Sequence, residues 1–368
     1  MTSMTHALSL PRSVGALAAT LLLAGWNSAQ EEQDTLVLAN GSTETGKVLE
    51  ESWSGVSFQP EKGAKKVVPW DTIQAVDYFD APEELQSGIA VLAAGNLEAA
   101  KEQFEQVLAL TENRPMIVQQ ARFHLAYAEQ RMGKTSEATA GYTKLLQDFP
   151  KSRYLREAAE NLLTLRLGEN DAAGAQSVLD SLAQGAKGVD GIEPLIGLLE
   201  ARLLEGQDKN TEAGQRFAAV EALAGARADL VQEAKLGRAR VLLRENKAAE
   251  AEPIFRALIT ESPLPRVQSG AWNGLGELQA ADGRAKKNSE RILDALYAYL
   301  RSVVQYKPLP GESTEEYERA LAGAATCFKY LSELEQNPEK KKLHRERERE
   351  RLEQLQLEYP SSSFLKKK

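Results

Sequence analysis

One thiol, Cys327, is all the cysteine this 368-residue chain carries. An internal disulfide and the thiolate set of a structural zinc site are thereby excluded, so the fold must be held by packing. Cys327 itself reads as a small buried apolar residue in the helical run 320–331. Histidine is nearly as scarce, with three. His6 lies near the N-terminus, and His124 sits beside Phe123, where packing is its simplest role. His344 falls in the Lys/Arg/Glu run 340–351, which reads as a solvated helix laced with pairs three and four residues apart. Catalytic signatures are missing as well. There is no His-Glu-x-x-His, no Gly-x-Ser-x-Gly and no acidic calcium loop. The Gly-Ala-Lys at 63–65 and 185–187 lacks the spacing of a phosphate loop. The chain is therefore expected to be no enzyme and to need no cofactor or metal.

Aromatic residues make up only 6% of the sequence while Ala, Leu and Glu abound, a mixture that favours helix over sheet. Positive charge is in deficit: 45 basic against 53 acidic residues give a net charge of −8. Such a surface repels phosphate backbones and anionic lipid headgroups, so no nucleic-acid partner is expected. Long apolar runs are absent too. Val14–Trp26, preceded by Arg12, is too short for a comfortable membrane span, and residues 1–29 read as an export signal cut after Ala29. Leu22-Leu23-Ala24-Gly25 is followed by Trp26 where lipidation needs Cys, so the product is expected to be unlipidated, without a membrane span, and periplasmic or secreted.

What is present divides in two. Residues 30–80 hold short runs of period two broken by Asn40-Gly41, Gly46 and Gly55, which predict a meander of about five strands. Asn40-Gly41 is a hairpin signal because both residues tolerate positive φ. The expected core is Leu36, Leu38, Val48, Val56, Phe58, Val67 and Ile73. The pattern of strand, Gly turn, Gly-Lys-Val strand and closing Asp-x-Ile-x-x-Val resembles the small Sm-like or SH3-like barrels found at the front of some exported bacterial repeat proteins.

After Ala81-Pro82 the chain reads as helical to residue 365, and a pattern recurs: a helix, a Gly or Asn break, then Ala followed four residues later by an aromatic or Leu. The first copy has Gly88, Gly95-Asn96, Ala100 and Phe104; the second has Ala126, Gly133-Lys134, Ala138, Tyr142 and Pro150. Gly95 to Gly133 and Ala100 to Ala138 are both 38 residues. Later breaks are placed at Asn170-Asp171, Gly206, Asn246 and Gly283. The sixth copy carries Trp272-Asn-Gly-Leu275-Gly276 and an Arg/Lys-rich insertion of about seven residues near 284–290. A seventh begins near Tyr317.

Trp272, Leu275 and Gly276, with Ala138, Tyr142 and Pro150, resemble the tetratricopeptide repeat signature. The resemblance, spanning 83–365, implies a mainly α fold: a TPR-like α-solenoid of about seven helical hairpins, preceded by a small all-β barrel domain. It implies a protein-binding scaffold with a concave groove. Groove positions carried over from the family are Phe123, Tyr127 and Gln130 in the second copy, Leu236 and Arg240 in the fifth, and Asn273 and Glu277 in the sixth. Packing between repeats is the competing role for Phe123 and Tyr127. The ends Phe149-Pro150-Lys-Ser and Tyr359-Pro360-Ser-Ser are similar to hairpin ends in the cell-division coordinator that associates with the Tol-Pal system and in the lipoprotein of the outer-membrane β-barrel assembly machinery. An envelope-assembly or cell-division accessory, self-association, and a cell-wall contact through Trp53 and Trp70 are the other readings. The sequence leaves open the partner's identity, the oligomeric state, the role of the β domain and the continuity of the array across the insertion.

Overall fold

The structure is a computed structural model that describes residues 33–189, 191–223 and 227–365. The expected export signal lies outside the described residues.

Five antiparallel strands come first among the described residues: β1 (Asp34–Leu38), β2 (Thr43–Ser52), β3 (Gly55–Pro60), β4 (Lys66–Val68) and β5 (Ile73–Asp77), ordered β4-β3-β2-β1-β5. Asn40-Gly41 makes the first turn, with Gly41 at φ +83° and Asn40 Oδ1 accepting from Ser42 N at 3.0 Å. Leu36, Val48, Val56 and Phe58 are buried as expected, and Leu38 and Ile73 are half-buried. Val67 is not in the core. It is 60% exposed while Val68 is buried, because Val68 lies opposite the buried Val56 and successive side chains of a strand face opposite ways. Strands β4 and β5 are the two edges, so the hydrogen-bonded sheet is open.

Fourteen helices follow among the described residues, pairing as seven hairpins. They are α1 (Glu83–Ala93) with α2 (Leu97–Ala109), α3 (Pro115–Arg131) with α4 (Thr135–Asp148), α5 (Leu155–Gly168) with α6 (Ala172–Gly185), and α7 (Ile192–Gly206) with α8 (Asn210–Ala222). Then come α9 (Ala228–Arg244) with α10 (Ala248–Glu261), α11 (Pro265–Lys286) with α12 (Ser289–Gln305), and α13 (Glu315–Leu334) with α14 (Pro338–Glu358). In hairpins 1 to 6 a left-handed residue stands two places before the second helix: Gly95, Gly133, Asn170, Asp208, Asn246 and Lys287. Gly and Asn suit this conformation because it costs them least. Two expected breaks are displaced. Gly206 ends α7 and packs against Leu167, the turn residue being Asp208. Gly283 lies inside α11, where a Cβ would come within 2.7 Å of Ile292, and the turn waits until Lys287. The insertion is thus absorbed as extra helix and the array runs on through it.

The hairpins stack through a repeated contact. The ring of Phe217 on α8 occupies the space a side chain on Gly237 of α9 would need; Phe255 does so at Gly274 of α11, and Tyr299 at Gly323 of α13. These rings are the aromatics four residues after the repeat alanine, and the absent Cβ lets two helix backbones approach. The first helices of successive hairpins also touch, α5 with α7, α7 with α9, α9 with α11 and α11 with α13, so they line the inner wall. The sheet is fastened to the array's flank. Arg114, at the start of α3, donates to both Asp34 oxygens at 3.0 and 2.7 Å and to Asp80 at 2.6 Å. Glu51 meets Arg153 at 3.2 Å, and Trp53 N donates to Lys151 O at 2.9 Å.

Candidate functional site: the concave face

The inner wall is charged where a plain peptide groove would be open. Three guanidiniums, Arg156 on α5, Arg202 on α7 and Arg266 on α11, converge on two carboxylates, Glu160 on α5 and Glu233 on α9. Arg266 reaches Glu160 at 2.9 Å and Glu233 at 2.8 Å; Arg202 reaches Glu233 at 2.8 Å; Arg156 bonds Glu160, Glu233 and Asp229. Glu160 and Glu233 are buried, 3% and 7% exposed. Burial opposes ionisation of Glu160, but Arg266, Arg156 and Arg202 outweigh it and hold the carboxyl far below the usual range. Arg156, Arg202 and Arg266 face Glu160, Glu233 and Asp229, and Arg227 pairs with Asp229 as well, so every carboxylate of the node is matched by a cation.

A second node ties α13 into the same wall. Arg240 bonds Glu316, Asn273 Nδ2 donates to the Glu316 carbonyl at 2.8 Å, and Arg319 pairs with Glu315 at 2.6 Å. Burial resists the Glu315 charge, yet Arg319, Arg240 and Arg202 bring its pKa down to about 2.

Between the nodes lies a cavity of about 580 Å³, lined by Leu163, Leu167, Leu236 and Val267 together with charged side chains that include Glu160, Arg202, Arg240, Arg244 and Glu277. A larger space of about 850 Å³ separates the sheet from the array and is bounded by Trp53, Trp70, Phe123, His124, Tyr154, Glu157 and the connection 305–313. Burial and then Arg153 push the His124 pKa down to about 3, so the imidazole is neutral. Both tryptophans here are engaged: Arg227 lies 4.6 Å over the buried Trp53, and Arg153 lies 4.1 Å over Trp70, whose indole N–H donates to Ser52 O at 2.7 Å. These indoles fasten the sheet to the array, and each already carries a cation on a face that a sugar ring would need.

The seven groove positions do not form one surface. Leu236, Arg240 and Glu277 line the 580 Å³ cavity, and Gln130 lies at a smaller one of about 210 Å³. Phe123 and Tyr127 are each 2% exposed and Asn273 is 1% exposed. Phe123 stacks on Tyr154 at 4.4 Å and lies under Gly311, where a Cβ would fall 2.6 Å from its ring. The reason is that the chain covers its own groove: Gly311 of the connection from α12 to α13 lies on Phe123, Arg131 and Tyr359 lie beside Tyr127, and Glu316 of α13 bonds Asn273. Arg156, Glu160, Glu233 and Arg266 were not singled out from sequence. Their one local signal is the four-residue spacing of Arg156 and Glu160, which an exposed helical pair shares.

Residues 120–152, covering most of α3, all of α4 and the Phe149-Pro150-Lys151-Ser152 end, match the family described as Tetratricopeptide repeat. This stretch is a tetratricopeptide repeat. The array around it is tetratricopeptide-like, and repeats of this family generally bind other proteins. Similar solved structures include a tetratricopeptide repeat protein from Parabacteroides merdae ATCC 43184, 18% identical, with 73% of this chain and 98% of that one covered and a TM-score of 0.42. PilW, described as a widely conserved type IV pilus biogenesis factor, is 17% identical over 68% of this chain and 97% of its own, with a TM-score of 0.37. Pseudomonas aeruginosa pilF is 16% identical over 67% and 95%, with a TM-score of 0.35. No curated protein matches. Among the described residues no helix is long and apolar enough to cross a membrane.

Proposed function

We propose that the chain is an exported, non-enzymatic scaffold that binds segments of other proteins on the concave face of its repeat array. The observation that carries this reading is the cavity between the two ion-pair nodes. Its leucine and valine side chains beside charged ones suit an extended or helical segment that buries apolar side chains and pairs polar ones. Residues 83–365 would provide the binding face and residues 30–80 would cap the array's flank. A phage library of random 15-residue peptides selected on the protein tests it: enriched peptides are expected, and Glu277→Arg, at an exposed lining position, should weaken them about tenfold. Failure to enrich any peptide sinks the reading. Export is checked by fusing residues 1–29 to alkaline phosphatase, which should become active outside the cytoplasm.

The second reading, an envelope-assembly or cell-division accessory that self-associates, is favoured by the two aromatic-Pro-x-Ser hairpin ends, 149–152 and 359–362. A deletion strain with normal envelope permeability and division would argue against it.

A further inference from the structure

Two hairpin ends share a motif and a mode of contact. Pro150 lies over Gly185 at the end of the next hairpin, where a Cβ would be 2.8 Å from its ring. Hairpin 7 is the last among the described residues, and its Pro360 instead reaches back over Gly133, in the turn of hairpin 2, where a Cβ would be 3.4 Å away. Around that contact Arg131 stacks on Tyr359 at 4.5 Å and donates from Nε to Glu358 O at 3.0 Å, while Ser361 Oγ donates to Gln130 O at 3.3 Å.

This closing seam is built unlike those between hairpins 4 and 5, 5 and 6, and 6 and 7. There a ring fills a glycine gap; here a few polar contacts and one stacked ring span a join with the 210 Å³ cavity beneath it, lined by Gln130, Arg131, Thr135, Glu318 and Ser363. The 580 Å³ cavity lies alongside, with Ser363 and Phe364 on its wall. A join of few contacts over unfilled space separates at lower cost than a packed one. It also stands at the edge of the cavity that a bound segment would enter.

We propose that residues 358–362 and the turn of hairpin 2 form a clasp that closes the superhelix, and that release of the clasp admits a partner polypeptide to the concave face. The proposal rests on the scaffold reading, since a gate needs something to admit. Closed and open forms then coexist, and a peptide that binds the open form pulls the clasp apart by its preference for that form.

The test uses the full chain in two variants. Arg131→Ala removes the stacked cation and the bond to Glu358 O. Thr135→Cys/Ser363→Cys, joined by a short bis-maleimide, holds the clasp shut; both positions line the same small cavity, and the native Cys327 is buried with its thiol pushed up to about 12, so it does not compete. Hydrogen exchange of residues 359–365 should run about tenfold faster in Arg131→Ala, with a larger radius of gyration by solution scattering. The probe is the tightest peptide selected from the 15-residue library. Its Kd should improve about tenfold in Arg131→Ala and worsen by at least about tenfold in the joined form. Equal affinity for native and joined protein overturns the gate and leaves the scaffold standing. An array that enriches no peptide in any form overturns both. Unchanged exchange and dimensions in Arg131→Ala overturn the clasp.

Discussion

Between hairpins 5 and 6 the Phe255 ring fills the gap left by Gly274, an apolar seat, whereas on the inner wall the same hairpins meet hairpin 3 through Arg156, Glu160, Glu233 and Arg266. The outer seam draws its stability from shape, and loses it when volume changes. The inner wall is a set of desolvated ions whose mutual attraction must offset their burial, so it depends on every member being present. The first tolerates conservative apolar exchange; the second tolerates none made singly.

The sharpest way to break that contrast is Glu233→Gln. It leaves Arg156, Arg202 and Arg266 short of a carboxylate, and chemical denaturation should show a loss of about 3–5 kcal/mol. Replacing Arg156 and Glu233 together by Met and Leu should cost far less than the two single losses summed, the signature of coupled ions. Next is acid. His124 takes up a proton near 6.5 when unfolded but only near 3 when folded, so its contribution is intact above about pH 6.5 and is lost as pH falls toward 3, at about 1.4 kcal/mol per pH unit. Melting temperature against pH for native protein and His124→Gln isolates this slope from Glu157, whose burial-raised carboxyl acts in the opposite sense. Gly274→Val, which drives two methyls into the Phe255 ring, should cost about 2 kcal/mol, and the double variant Gly274→Val/Phe255→Leu should recover part of it. The smallest effect is expected at the closing seam, where Arg131→Ala should lower global stability by only about 1 kcal/mol.

The seven hairpins could be read from sequence because each is a local device: a turn two residues ahead of the second helix, then Ala and an aromatic four residues on. The turns of hairpins 4 and 6 do not fall at the glycines that look like breaks, Gly206 and Gly283. There glycine serves close packing, while Asp208 and Lys287 accept the left-handed conformation. Val67 and Val68 cannot be told apart as core from sequence, because a three-residue strand carries too short an alternation to fix its face without a partner strand. The occupied groove was illegible for a different reason. Whether Phe123 is open or covered depends on Gly311, 188 positions later, and no periodicity connects the two. The ion-pair nodes are hidden likewise, since Arg156, Glu233 and Arg266 look like ordinary surface charges until the superhelix brings three hairpins together.

The sheet's fastenings have a mechanical consequence. Arg114 bolts Asp34 and Asp80 to the start of hairpin 2, Arg153 holds Glu51 at the start of hairpin 3, and Arg227 rests on Trp53 from the start of hairpin 5. A coil strapped across several of its turns cannot stretch there. Under tension the molecule would pay out from its C-terminal coils first, with the sheet serving as the rigid grip.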